Sequence, residues 1–384
     1  MMGNSDIQKK IFHTVQIEHL VPEDHPLRRI RPMVNTEEIR RLCRPHYCLD
    51  NGRPSIPPEQ LFLAILGGYL LGARSDRKLI MELQCNMAFR WFVGLDIDSP
   101  VWDPSTFSKN REHRFDETDV LEKLFESTIK TAVKNGWVSD HWSMDGTLVR
   151  ANASHKSFVP LEIHQSPEEY MKSMLGSKKK ETPQSPEDPG NPTVDFHGEK
   201  RSNATHRSTS DPDARLASKS RKESTIPGYT VNGIMENRNR LLMGIGVEIF
   251  QGPASERQGG IGLLTRIKKR LRIKPKTLGA DKGYFEKKFL QKLFRRQIDP
   301  HVAAKTTGHD PIHSRVRMRE RGLGYQLSQR ARKKIEELWG EAKDQHGLRR
   351  FTRQTLTNVR QEALMIGWLL NLKRLARLNE AVGA

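Results

Sequence analysis

Two short runs of apolar and small residues in this chain each deliver an aspartate. The first is Trp142-Ser143-Met144-Asp145-Gly146-Thr147-Leu148-Val149, and the second is Thr277-Leu278-Gly279-Ala280-Asp281-Lys282-Gly283-Tyr284. Each reads as a buried strand that carries a carboxylate to a sheet end or turn. A helical pattern (Phe285, Leu290, Leu293, Phe294) follows the second. Asp-Gly is also the commonest turn dipeptide, so either aspartate alone says little. A third acidic group comes from a helix. Within the stretch Arg332-Lys333-Lys334-Ile335-Glu336 that runs on to Lys343, the residues Arg332, Glu336 and Lys343 stand at i, i+4 and i+11. They fall within roughly 60° of one another on an α-helix. Taken alone, this stripe also fits a solvated face laced with ion pairs. Together, three carboxylates distant in sequence constrain the fold strongly. They repel unless a cation lies between them. Magnesium is a hard ion that prefers such oxygen ligands, and two ions about 4 Å apart can clamp an in-line phosphoryl displacement. Asp145, Asp281 and Glu336 therefore imply two-metal phosphodiester chemistry, provided one domain brings them together.

Charge points the same way. The 65 Lys plus Arg residues outnumber the 46 Asp plus Glu, for a net charge of +19. A chain this basic is expected to seek polyanions, with nucleic acid ahead of an acidic membrane surface. The most apolar stretches, residues 61–73 and 363–372, fall short of the roughly 20 residues a membrane helix needs, so no membrane partner is expected. Cys43, Cys48 and Cys85 form no disulfide framework. With a polar start at residues 1–10 and no signal core, this predicts a cytoplasmic protein with access to the nucleoid. Cys43, His46 and Cys48 lack a second ligand pair at finger spacing and read as ordinary residues.

Residues up to 137 read as mostly helical. Pro58 starts a buried helix, Ser75 caps a second, and Ser105 or Thr106 caps another running to Arg114. The cations Arg74, Arg77, Lys78, Lys109, Arg111 and Arg114 fit a helix-turn-helix-like DNA reader. A helical packing domain with solvated cations is the other reading. From residue 138 the order becomes strand, interruption, hairpin, helix, strand, helix and late helix. The hairpin strands are 229–235 and 241–250, a basic helix covers 261–271, and the next strand is 278–281. The interruption, about 160–226, is rich in Ser, Pro, Lys and Glu and reads as a flexible basic insertion that includes Lys178, Lys179 and Lys180. Residues 305–324, with Arg315, Arg317, Arg319 and Arg321, read as an extended cationic strip. A last helix, 359–378, is expected to pack Trp368, Leu369, Leu372 and Leu375 on the sheet.

The chain resembles the DDE transposases of bacterial insertion sequences, in particular the insertion-sequence-five group and its close relatives. Asp24-His25-Pro26-Leu27-Arg28, Gly52-Arg53-Pro54-Ser55, residues 79–92 and Pro104-Ser105-Thr106-Phe107-Ser108 are similar to that group's N-terminal domain. Met144 to Leu148, followed by Ala151 to Phe158, is similar to the first catalytic block. Ser210 to Arg215 and Met235 to Asn239 are similar to two further blocks. Asp281-Lys282-Gly283-Tyr284 is similar to the second catalytic block, with Pro300 to Ala303 just beyond, and Gly324 to Arg330 leads into the third. There the family has an arginine, three residues, a glutamate, six residues and a lysine, which Arg332, Glu336 and Lys343 reproduce. The chain departs from the pattern at Gln329, Asn232 and Trp339, where relatives often have tyrosine, histidine and phenylalanine.

The resemblance implies a fold of mixed α+β and α/β class. A helical DNA-end-binding domain (1–137) is followed by a ribonuclease-H-like catalytic domain (138–384). It implies cleavage at the ends of an insertion sequence and 3′-hydroxyl strand transfer into target DNA. The cofactors implied are two Mg²⁺ ions, with Mn²⁺ able to stand in, held by Asp145, Asp281 and Glu336. Arg332, Lys343, Arg330, Lys282, Lys109 and Arg111 are the expected DNA contacts. The partners implied are inverted terminal repeats and target DNA, engaged by a homodimer. A non-catalytic DNA-binding regulator and a metal nuclease without strand transfer are the alternatives.

Overall fold

The computed structural model describes residues 15–48, 55–161, 195–196, 199–218, 224–307 and 310–383. The chain divides into two compact units, residues 1–128 with 368–384, and residues 129–367.

The first unit is helical. Its helices are α1 (Ile17–Leu20), α2 (Pro26–Ile30), α3 (Thr36–Cys43), α4 (Pro58–Leu71), α5 (Asp76–Cys85), α6 (Met87–Val93), α7 (Pro104–Arg111) and most of α8 (Val120–Lys134). Helix α4 is apolar on nearly every face, and Leu61 to Tyr69 are all buried. Such a helix is stable only when neighbours cover it on all sides. Phe62 meets the edge of Phe115 at 4.2 Å and Trp368 at 6.2 Å between ring centroids. Trp368 thus packs on α4, not on the sheet as its apolar stripe suggested. Ser75 caps α5 by accepting from Lys78 N, as its position before the helix predicts. Asp103, rather than Ser105 or Thr106, caps α7, because its carboxylate reaches Ser105 N at 2.8 Å. Helix α7 ends at Arg111, and one π-helical turn, Glu112–Asp116, follows.

The second unit is built on strands β1 (His141–Arg150), β2 (Phe158–Pro160), β3 (Asp195–Phe196), β4 (Glu199–Lys200), β5 (His206–Ser208), β6 (Arg215–Ala217), β7 (Ile226–Glu236), β8 (Leu242–Ile249), β9 (Thr277–Ala280) and β10 (Asp299–Val302). Its helices are α9 (Pro253–Leu271), α10 (Lys287–Arg295), α11 (Pro311–Arg319), α12 (Leu323–Asp344) and the first part of α13 (Leu356–Gly383). The main sheet runs β10-β9-β1-β7-β6, with β8 also paired to β7. Strands β1, β7 and β8 form an antiparallel ribbon, whereas β9 and β10 lie parallel to β1. The β7–β8 turn is held by one buried carboxylate: Glu236 accepts from the backbone N–H groups of Ser139, Arg238, Asn239 and Leu241.

Two helices cover opposite faces of β1. Successive side chains on a strand alternate faces, and residues directly opposite in an antiparallel pair share one. Gly146 faces α9, where a Cβ would lie 2.7 Å from Glu256 Cγ. Gly233 pairs with Asp145 and faces α12, where a Cβ would lie 2.6 Å from Trp339 Cζ2. Asp145 therefore points toward α12.

Three expectations are corrected. Residues 305–324 are not an extended strip. Asp310 caps α11 at Ile312 N, and the arginines are used internally. Arg315 and Arg319 lie over the Phe294 ring, Arg319 pairs with Asp299, and Arg317 lies over Phe285. Part of the segment expected to be flexible is built into the fold. Strand β6 extends the main sheet, and Asp211 is fully buried, accepting from Tyr229 Oη at 2.6 Å and Thr355 N at 3.1 Å. Both bonds go to one carboxylate oxygen, and they tie this short polar segment to β7 and to the start of the last helix. Lys178, Lys179 and Lys180, like Gly52, Arg53 and Pro54, lie outside the described residues. Finally, residues 368–384 cluster with the helical unit, so the second unit ends before the last helix does. Among the described residues, no helix is long and apolar enough to cross a membrane.

Gly233 sets how closely α12 approaches the sheet. Gly233→Ala should cost about 1–3 kcal/mol in urea unfolding through overpacking. Adding Trp339→Phe should recover part of that loss. An unaltered midpoint for Gly233→Ala would show that α12 does not rest on this contact.

Candidate active site

Strand β9 runs beside β1 with Ser143 next to Gly279. Carried two residues further along both strands, the same register sets Asp145 next to Asp281. Neighbouring strands are about 4.8 Å apart, so the two carboxylates are adjacent groups at one sheet end. Strand β9 stops at Ala280, while β1 continues to Arg150. Asp281 ends its strand by accepting from Gly283 N at 2.8 Å, which turns the chain into the 3₁₀ segment Lys282–Tyr284.

The aspartates stand in one electrostatic field. Burial is the main reason that the Asp145 carboxyl is pushed up to about 7. The charges of Asp281 and Glu256 push the same way, and the Arg332 guanidinium pulls against them. Glu256, in the first turn of α9, is also raised by burial and then by Asp281. The Tyr284 hydroxyl is raised by burial first and then by Glu256, Asp145 and Asp281.

Helix α12 brings the cation. Gln329 Nε2 donates to Ala280 O at 3.2 Å and also to His301 O, which ties α12 to the ends of β9 and β10. Gln329 Oε1 accepts from Arg332 Nε at 3.2 Å. Arg332 Nη1 reaches Glu336 Oε1 at 3.1 Å, in the i,i+4 geometry read from the sequence. Arg332 is thus the link between the aspartate pair and Glu336, whose side chain is 58% exposed. Further along α12, Lys343 donates to Thr147 Oγ1. Thr147 lies two residues beyond Asp145 and shares its face.

Of the expected residues, Asp145 and Asp281 are adjacent by strand register, the Arg332 charge acts on Asp145, and Glu336 is paired with Arg332. Lys343 joins through Thr147, Arg330 is exposed on α12, and Lys282 is exposed in the 3₁₀ segment after β9. Lys109 is exposed in the helical unit. Arg111 does not fit the expected DNA contact. Its side chain is 12% exposed and pairs with Asp76 at 2.9 Å, because a guanidinium this buried requires an acceptor. Glu256 was missed. The sequence pattern placed the helix start at residue 261, whereas Gly252-Pro253 opens it two turns earlier. That dipeptide was the available signal.

The oxygen donors of Asp145 and Asp281 suit a hard divalent cation. Among the described residues, no three His, Cys, Asp or Glu side chains converge closely enough to hold one as they stand. Cys43, Cys48 and Cys85 are free thiols, and burial pushes Cys43 up to about 12.

Residues 15–113 match the family described as "Transposase domain (DUF772)", and residues 193–372 match "Transposase DDE domain". The second match contains Asp281 and Glu336 and begins after Asp145. No curated protein matches the chain. Among solved structures, a Mos1 transposase paired-end complex with left transposon end is similar over 78% of this chain and 83% of that chain. The identity is 10% and the TM-score 0.20.

An unfolded aspartate ionises near 3.9 and Asp145 at about 7. Between those values the folded chain holds a proton that the unfolded chain has lost. Its contribution to stability therefore falls as pH rises through that window and stays low above it. Without divalent cations, Asp145→Asn should be more stable than the parent at pH 8, by a few kcal/mol at most, and close to it near pH 3.5. Urea midpoints at the two pH values decide this. An equal difference at both would contradict the burial account.

Proposed function

This chain belongs to the DDE transposases of insertion-sequence type, and we propose that it cuts DNA at the ends of its element and joins the freed 3′-hydroxyls to target DNA. The observation that carries this reading is the aspartate pair, side by side where β9 ends against the middle of β1, with the Arg332 charge acting on it. The mixed sheet, with α9 and α12 on opposite faces of β1, supports a ribonuclease-H-like catalytic unit. The helical residues 1–128 are proposed to bind the element's ends.

In this reading Asp145, Asp281 and Glu336 hold two Mg²⁺ ions. When bound, they supply Lewis-acid stabilisation of the charge that builds up on the scissile phosphate. The residues of the chain do the rest. Asp145 and Asp281 provide oxygen donors from rigid strand ends. Arg332, oriented by Gln329, is placed to meet a phosphate oxygen beside the cut through charge-assisted hydrogen bonds. On binding, Glu336 exchanges its Arg332 contact for the cation site, and Arg332 turns to DNA. Lys343 holds the backbone further along, and Arg330 and Lys282 line the approach. In the first step water adds to phosphorus, the 3′-oxygen leaves, and it takes up a proton. In the second, that 3′-hydroxyl attacks a target phosphodiester, loses its proton, and displaces a target 3′-oxygen. Neither step requires a covalent enzyme intermediate.

Asp145→Asn, Asp281→Asn and Glu336→Gln should each lower Mg²⁺-dependent nicking of terminal-repeat DNA on the order of 1,000-fold, since several kcal/mol of charge stabilisation is lost. DNA binding should survive. A variant that nicks at the parental rate removes its residue from the assignment. Binding with no nicking by the parent chain favours a regulator, and nicking with no joined product favours a nuclease.

A second set of cations belongs to the same reading. An open cavity of about 470 Å³ is lined by Thr265, Lys268, Lys269, Arg272 and Arg296. Among the described residues, no carboxylate lines it. If these cations track phosphates, Lys268→Ala with Lys269→Ala should reduce the steepness of log affinity against log salt by roughly 1 to 2. An unchanged slope would mean that they are merely solvated.

A further inference from the structure

Glu256 occupies a place that the assignment of Asp145, Asp281 and Glu336 does not use. It sits in the first turn of α9, against the backbone of Gly146, the residue after Asp145. A Cβ at 146 would lie 2.7 Å from Glu256 Cγ and 3.2 Å from its Oε1, so the glycine leaves the glutamate room to lie against the strand. Its neighbour Arg257 donates to Gly283 O at 3.1 Å, which fixes this turn of α9 to the loop that begins at Asp281. Strand β9 ends at Ala280, so beyond that point no strand on that side separates the α9 face from the aspartates.

A second observation is independent of the carboxylates. Tyr284 is 1% exposed and packs on Phe289 at 5.2 Å, yet among the described residues its hydroxyl has no hydrogen-bond partner. Buried phenols ordinarily find one, and an exception marks a strained, catalytic or ligand-dependent group. The three acids that bear on this hydroxyl are Glu256, Asp145 and Asp281. An unused buried donor therefore lies within the field of three acceptors. Like charges hold such carboxylates apart until a cation offsets them.

We propose that Glu256 is a fourth acidic residue of the cutting centre, contributing a carboxylate to the divalent cation held by Asp145 and Asp281, with the Tyr284 hydroxyl as the donor that orients it. The proposal rests on the transposase reading of the aspartate pair. Glu256 reaches the cation from the α9 face and Glu336 from the α12 face, so the two helices clasp the site beside the middle of β1, where β9 ends. Tyr284 is a positioning residue, since it acts through Glu256.

The test measures Mn²⁺ binding to the full chain by calorimetry, without DNA and independent of cutting. Glu256→Gln should weaken Mn²⁺ binding by at least about tenfold, and Tyr284→Phe by up to about tenfold, in line with ligand and orienting groups at metal sites. Glu256→Asp, which keeps the charge on a shorter arm, should recover part of the loss. Thermal unfolding without metal shows that each variant is folded. Parental Mn²⁺ affinity in Glu256→Gln overturns the proposal, as does lowered stability with unaltered affinity, which marks a packing role. If the parent binds no Mn²⁺ and Asp145→Asn changes nothing, the aspartate reading itself fails, a result distinct from the first.

Discussion

The register of β9 on β1 is the constraint from which the site follows. Parallel pairing at Ser143 and Gly279 leaves no choice about where the next residues go, and Asp281, just past the end of β9, arrives beside Asp145 in the middle of β1. Left alone, that arrangement is unfavourable: two carboxylates in a partly buried place repel, and burial adds to the cost of ionising them. The fold tolerates it because the surrounding contacts are strong. Met144 and Val149 are buried in β1, Leu278 and Ala280 in β9, and Glu236 stitches the hairpin that holds β1 from its other side. Functional sites commonly store such unfavourable terms, with the remaining structure offsetting them.

Helix α12 is the second essential part, and its position depends on small residues. Gly233 lets Trp339 lie directly on the sheet, and Gly279 leaves room for Ser328. Gln329 then spans two strand ends with one amide and orients Arg332 with its oxygen. That use accounts physically for a polar amide at a position where relatives often have tyrosine. It also joins the register of the strands to the stripe of charges on the helix, so the guanidinium stands beside Asp145 while still paired with Glu336.

Several cations that looked available for DNA are committed elsewhere. Arg111 pairs with Asp76, Arg114 lies 3.9 Å over the Tyr47 ring, and Arg315 and Arg319 lie over Phe294. Arginine's flat guanidinium stacks on rings and bonds carbonyls, so a run of arginines can be packing material as readily as a phosphate track. A net charge of +19 establishes an excess of cations but does not say which of them face outward.

Local signals determined much of this protein. Apolar runs ending in aspartate marked β1 and β9, the Ser75 cap marked α5, and the i,i+4 spacing of Arg332 and Glu336 placed them on one helix face, because each depends only on neighbours in the chain. Tertiary structure alone decided the rest. Nothing local says that Trp368 packs on Phe62, or that Asp211 anchors a polar segment to Tyr229 and Thr355. Nor does anything local bring Glu256 to Gly146 and Asp281, or leave the Tyr284 hydroxyl among three acids. Those relations join residues far apart in the chain, and strand register and helix packing, not spacing, set the distances between them.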